Sequence, residues 1–165
     1  MKAILHTGLC SIIIVLAGCY SFTGSSVPTH LKTIAIPLFD DQSGSGEPNL
    51  RENLTNKLID RFRQDNSLQI VDRSHSDSIL EGTIVSMPDE PQVVATNEAV
   101  TKRKVTLTVR VKYQDMVLKK KVYEKEFTEW GDYVAGGDIT QRQAGIDAAI
   151  NKVIDDVLLA TVANW

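Results

Sequence analysis

Cysteine is nearly missing from this 165-residue chain: the two present, Cys10 and Cys19, both lie at its very start. Everything after Cys19 has no thiol, which excludes a disulfide framework, a cysteine nucleophile and a thiolate metal site in the folded body. Histidine is almost as scarce. His6, His30 and His75 show no metal-ligand spacing, and the last two read as solvated loop positions. Positive charge is in deficit, with 18 basic against 21 acidic residues, which argues against general nucleic-acid binding. No apolar run reaches the roughly 20 residues that a membrane-crossing helix needs. Ser43-Gly44-Ser45-Gly46 lacks the Gly-Lys-Ser/Thr that a phosphate loop requires. Asp155-Asp156 are helix neighbours that do not face each other, and Asp40-Asp41 reads as a strand-end surface pair before it reads as a cation site. Asn53-Leu54-Thr55 matches a glycosylation acceptor but falls in a predicted helix. No constellation of catalytic groups, cofactor loop or metal ligands emerges, so the expectation is a protein that is not an enzyme.

What is present begins at the amino terminus. Lys2 precedes an apolar run from Leu9 to Leu16, broken only by Ser11 and followed by small residues. This is the pattern of a secretory signal. Leu16-Ala17-Gly18-Cys19 resembles the lipobox of bacterial lipoproteins, in which the cysteine thiol is acylated, the signal is cut before it, and the new amino group is acylated in turn. The resemblance implies lipidation at Cys19. One fatty chain anchors only marginally, at about 0.8 kcal/mol per buried methylene, but two or three on one residue hold a protein at a membrane. Tyr20 follows the cysteine where an inner-membrane retention signal would carry Asp, so an outer-membrane, periplasm-facing location is implied. The expected organisation is a signal over 1–18, a lipidated cysteine and tether over 19–31, and a single α+β domain over 32–165. Removing the signal leaves 147 residues and, with Lys2 gone, a net charge of −4. A chain of that size buries enough apolar surface to fold without staples.

Thr33–Phe39 reads as a first strand, with Pro37 at its end or on an edge. Asp40 to Pro48 reads as a loop. Asn49 and Glu52 stand at capping-box spacing, and Leu50, Leu54, Leu58 and Phe62 then repeat every four residues, which predicts a helix ending near Asp65-Asn66. Arg51, Lys57, Asp60, Arg61 and Arg63 are assigned to its wet side. Leu68–Val71 and Ile79–Val85 read as strands, Gly82 marking a bulge or a close backbone approach. Lys104 to Tyr113 alternates with period two, placing Val105, Leu107, Val109, Val111 and Tyr113 on one face. Another strand is expected over Met116–Phe127. After Gly131, Gly136 and Gly137, Asp138 and Gln141 signal a long second helix whose apolar stripe runs Ile139, Ile146, Ile150, Val153, Val157 and Leu158. The fold expected is α+β, with two helices packed on one face of a mainly antiparallel four-stranded sheet.

One cluster suggests binding. Lys102, Arg103 and Lys104 lead into the alternating strand, and Arg110 and Lys112 share the face of Lys104. Lys119, Lys120, Lys121 and Lys125 follow on the next strand. Paired as a hairpin, these residues offer phosphates or acidic sugars charge-assisted hydrogen bonds. The competing readings are a solvated face protected from edge aggregation by lysine and neutralisation by Glu124, Glu126 and Glu129.

Gly18-Cys19-Tyr20-Ser21-Phe22, Lys32–Phe39, Asn49–Thr55 and Leu80-Glu81-Gly82-Thr83-Ile84, in that order, resemble the LptE family of lipopolysaccharide-assembly lipoproteins over nearly the whole mature chain. The resemblance implies two helices on a four-stranded sheet and an outer-membrane β-barrel partner, LptD, plugged from within. It also implies contact with lipopolysaccharide through basic residues at one end of the sheet, for which Lys102, Arg103 and Lys104 are the nearest candidates. No catalytic residues come with it. The segment from Thr33 through Val71-Asp72-Arg73 is also similar to modules in activators of peptidoglycan synthases and in curli-secretion proteins.

Overall fold

The computed structural model describes residues 27–92 and 102–163. Cys19 and residues 20–26 of the tether lie outside the described residues. In chain order the elements are β1 (Thr33–Ala35), β2 (Asp40–Asp41), α1 (Leu50–Asp65), β3 (Gln69–Ile70), β4 (Ser78–Ser86), β5 (Asp89–Gln92), β6 (Lys102–Asp115), β7 (Lys120–Val134) and α2 (Ile139–Val162). A short 3₁₀ turn, Arg73–His75, links β3 to β4.

The sheet corrects the expected architecture: among the described residues it is seven-stranded and mixed, where a four-stranded, mainly antiparallel one was expected. β1 pairs in parallel with β3 and β4, and β2 in parallel with β4. β6 pairs antiparallel with β4, β5 and β7. The sheet has five positions, with β3 and β7 at its two edges, and two of the positions are each filled by an interrupted strand. β1 and β2 lie in tandem along β4, parted by Ile36–Phe39 with Pro37, which lacks the N–H that a continuous ladder needs. β4 and β5 lie in tandem along one edge of β6, parted by Met87-Pro88, while β7 covers the other edge throughout. The parallel pairs follow from the α1 crossover between β1 and β3.

Period-two alternation predicts β6 well. Val105, Leu107, Val109, Val111 and Tyr113 are all fully buried. They form one core with the α1 stripe (Leu50, Leu54, Leu58, Phe62) and the α2 residues Ile146, Ile150, Val153, Val157 and Leu158. Ile139 does not join them; it is 82% exposed, and burial along α2 begins only at Gly145. The second long strand starts at Lys120 rather than Met116 and continues through Gly131 to Val134. Gly131 is needed there for close packing: a Cβ on it would lie 1.9 Å from the Gly145 carbonyl oxygen of α2. Gly82 is the expected close approach, since a Cβ would fall 2.0 Å from the Phe39 ring.

The two helix starts differ. Asp138 is extended, and its Oδ1 accepts from the Gln141 amide at 3.0 Å, as the spacing predicts. Asn49 sits in the left-handed region at φ 55 and makes no side-chain cap, so the capping box with Glu52 does not form. An N-cap side chain reaches the first turn from extended backbone, which Asn49 lacks. Lys57 and Arg61, assigned to water, bridge instead to Asp147 (2.9 Å) and Asp155 (2.7 Å) of α2.

Candidate functional site

Strand register decides what the basic cluster is. On the face of β6 away from the helices, Lys112 lies between Glu81 of β4 and Glu124 of β7. Arg110 lies beside Glu126, with which it pairs at 2.7 Å, and Lys104 lies between Glu90 and Asp132. Opposite charges facing across strands stabilise a sheet, and here they cancel most of the positive field that the sequence suggests. The hydrogen bond from Lys121, with the nearby Lys112 and Arg110 charges added, holds the Glu124 carboxyl below its ordinary range. Among the described residues, Lys102 alone of the five candidates has neither an acidic register partner nor an ion pair; it faces Gln92 and Val134.

Arg103 is separated from its neighbours by strand alternation. It has the parity of Val105 and so belongs to the helix side, where its Nε donates to Asp89 Oδ1 at 2.9 Å and a second nitrogen donates to the Asp89 carbonyl at 2.9 Å. The Tyr133 hydroxyl and Arg142 Nε donate to the other Asp89 oxygen, at 2.7 and 3.2 Å. Arg142 continues to Glu47 at 2.6 Å. This network ties β5, β6, β7, α2 and the loop before α1 into one corner. Burial alone would raise the Asp89 carboxyl; the bonds from Tyr133, Arg103 and Arg142 outweigh it and lower it. Arg103 thus serves as an internal clamp whose guanidinium is already engaged, and Lys102, Arg103 and Lys104 do not form a single patch.

The other end of the hairpin holds residues that sequence reasoning passed over. His30, expected to be a free loop residue, places Nε2 2.6 Å from Asp115 Oδ2. Asp115 is buried, and its Oδ1 caps the turn by accepting from the Leu118 amide at 2.8 Å. Its carboxyl, which burial would raise, is lowered by His30 and the backbone amides of Leu118 and Val117. Beside it, burial pushes the Tyr113 hydroxyl up to about 12, against a lowering contribution from the Ser78 hydroxyl. The turn itself exposes Met116, Val117 and Leu118, followed by Lys119, Lys120 and Lys121. One signal for it was available: three apolar residues in a row directly after the turn marker Gln114-Asp115.

Elsewhere, Asp41 accepts from the amide and hydroxyl of Ser43, and Asp40 accepts from the Gln42 side chain, so that pair organises its own loop. Among the described residues, no three His, Cys, Asp or Glu side chains are grouped to hold a metal ion. No described helix is long and apolar enough to cross a membrane.

Comparison with known proteins agrees with this geometry. No curated protein shows a significant match to the chain. Among solved structures, the chain is similar to the hypothetical protein CT253 from Chlamydia trachomatis, with TM-score 0.60 and 10% identity, covering 81% of this chain and 99% of that one. It is similar to protein XCC0632 from Xanthomonas campestris, with TM-score 0.60 and 11% identity, covering 82% and 86%. It is also similar to the rare lipoprotein B from Shewanella oneidensis, with TM-score 0.50 and 13% identity, covering 78% and 89%. At such identities these likenesses establish the fold alone. The family model described as LptE, lipopolysaccharide-assembly, matches residues 31–161, which takes in every element from β1 to nearly the end of α2, and the chain therefore belongs to the LptE family.

Proposed function

We propose that this protein is an outer-membrane lipoprotein, acylated at Cys19 and facing the periplasm, that plugs and supports an LptD-like β-barrel translocon and assists lipopolysaccharide assembly without catalysing a reaction. The family match over residues 31–161 carries this reading. The lipobox-like Leu16-Ala17-Gly18-Cys19 supports the anchor. The closed core supports a plug rather than an enzyme, because the side chains that converge do so in ion pairs already satisfied within the fold.

Lipopolysaccharide contact is assigned to the Lys102 end of the sheet. Lys102 supplies the accessible cation there; Lys104 follows on the same face, Arg103 braces the strand from the other side, and Arg110 and Lys112 sit further down the face, each beside an acid. Crosslinking in the native envelope, followed by identification of the partner, tests the main reading. A large outer-membrane barrel is the expected product. Capture of a penicillin-binding protein instead would move the chain to the peptidoglycan-synthase-activator class, and a curli-secretion partner to that class. Lys102→Glu should weaken lipopolysaccharide binding by the purified mature chain; unchanged affinity removes the site assignment. Mass spectrometry of the native protein tests the anchor, and an unmodified Cys19 would refute it.

A further inference from the structure

The β6–β7 turn is built unlike an ordinary solvent-exposed turn. Its residues Met116, Val117 and Leu118 are 42%, 52% and 63% exposed, where turns usually place Gly, Asn, Asp or Ser. Lys119 occupies the left-handed region at φ 52, a conformation that glycine adopts without strain. Lys119 and Lys120 are in no ion pair among the described residues, while Lys121 pairs with Glu124 at 2.9 Å. The acid nearest in sequence, Asp115, is buried with both carboxylate oxygens engaged inside the fold. The surface of the turn is therefore an apolar tip collared by lysine.

A second observation says what this tip faces. The amino-terminal end of the described chain is fastened to the same end of the sheet. His30 meets Asp115, Leu31 is buried, the amides of Lys32 and Thr33 donate to Asp77, and the Met116 amide donates to the Asp77 carbonyl at 2.8 Å. His30 stands eleven positions after Cys19, a reach of at most about 40 Å. An acyl chain at Cys19 therefore holds the turn near the bilayer. Lys102, thirteen positions along β6 from Asp115, lies ~43 Å from this end of the sheet.

We propose that Met116–Lys121 is a second membrane attachment. Its apolar tip enters the headgroup layer of a phospholipid bilayer, and Lys119 and Lys120 bind the phosphates of anionic lipids. The inference rests on the acylation of Cys19 only for which membrane lies within reach; the contact itself belongs to the folded domain. Short apolar elements flanked by lysine hold to interfaces by this combination of buried area and charge.

The mature chain carrying Cys19→Ser isolates the contact from the anchor. It should float with vesicles of phosphatidylethanolamine and phosphatidylglycerol and bind phosphatidylcholine vesicles much less. Lys119→Gly, which suits the left-handed backbone, and Lys120→Gln should each weaken binding about fivefold and reduce its salt sensitivity. Leu118→Ser should weaken it about tenfold at all salt concentrations. Circular dichroism melting of each variant reports whether the domain stays folded, and Lys119→Gly is the variant least able to disturb it. The proposal is overturned if the Cys19→Ser chain ignores phosphatidylglycerol, if the three variants bind as it does, or if binding appears only when lipopolysaccharide replaces the phospholipid. Mass spectrometry of the native protein reports acylation separately, so failure of the anchor and failure of the turn are distinct results.

Discussion

The two ends of the β6–β7 hairpin carry similar lysine-rich stretches and treat them in opposite ways. At the Lys102–Lys104 end, two of three consecutive cations meet acids: Arg103 is clamped on Asp89, and Lys104 lies between Glu90 and Asp132. At the Lys119–Lys121 end, two of three cations are in no ion pair among the described residues and stand beside exposed apolar side chains. The first end is braced by a network joining four secondary-structure elements; the second hangs on a four-residue turn stitched to the incoming chain by His30 and Asp77. A run of like charge in a sequence is thus no measure of surface potential. Register determines whether its counter-charges lie next to it.

The comparison predicts where substitution is costly. Gly131→Ala, near the braced end, drives a Cβ into the α2 backbone at Gly145. It should destabilise the domain by about 3 kcal/mol, read from urea denaturation, because a packed helix must move away. A near-neutral result would mean that the α2–β7 approach is softer than the geometry implies. Asp89→Asn, which leaves Arg103 and Arg142 without their shared carboxylate, should cost about 2 kcal/mol. Equal losses from substituting Lys120 at the turn would erase the contrast between the ends.

Acid sharpens the same comparison. The carboxyls of Asp89 and Asp115 are lowered in the folded protein. Each therefore contributes stability that is fully present above the unfolded aspartate pKa of about 3.9 and is lost as pH falls through the depressed folded value. Urea midpoints should hold steady above about pH 5 and drop below about pH 4. Asp89→Asn should flatten part of that acid limb; an unaltered limb would assign it to other carboxylates. The smallest effect belongs to Lys119→Gly, which should raise stability by about 0.5 kcal/mol, relief of the left-handed backbone exceeding the added chain entropy. A loss in thermal melting would show that the lysine side chain supports the turn.

Much of the fold was legible. The four-residue repeat of α1, the alternation of β6 and the Asp138 cap each depend on residues a few positions apart, and such patterns survive reading in one dimension. The Asn49 cap failed because cap spacing says nothing of the backbone angle at the cap residue. β5, three polar residues and Pro91, carries no hydrophobic alternation and exists only because β6 offers it an edge. The binding cluster was legible as composition and misleading as a surface, since Arg103 and Lys104 point to opposite sides of one strand.

By itself the sequence determined the leader-like start, the lack of any cysteine after Cys19, the helices and central strands, and membership of the family, because each is set by residue type and local spacing. Only the tertiary structure decided which charges cancel and which end of the sheet the tether reaches. His30 and Asp115 are 85 positions apart and Asp89 and Arg142 are 53 apart. No local preference links residues at such distances. They meet because burying one shared apolar core fixes how the strands align, and the polar partners on the strands follow that alignment.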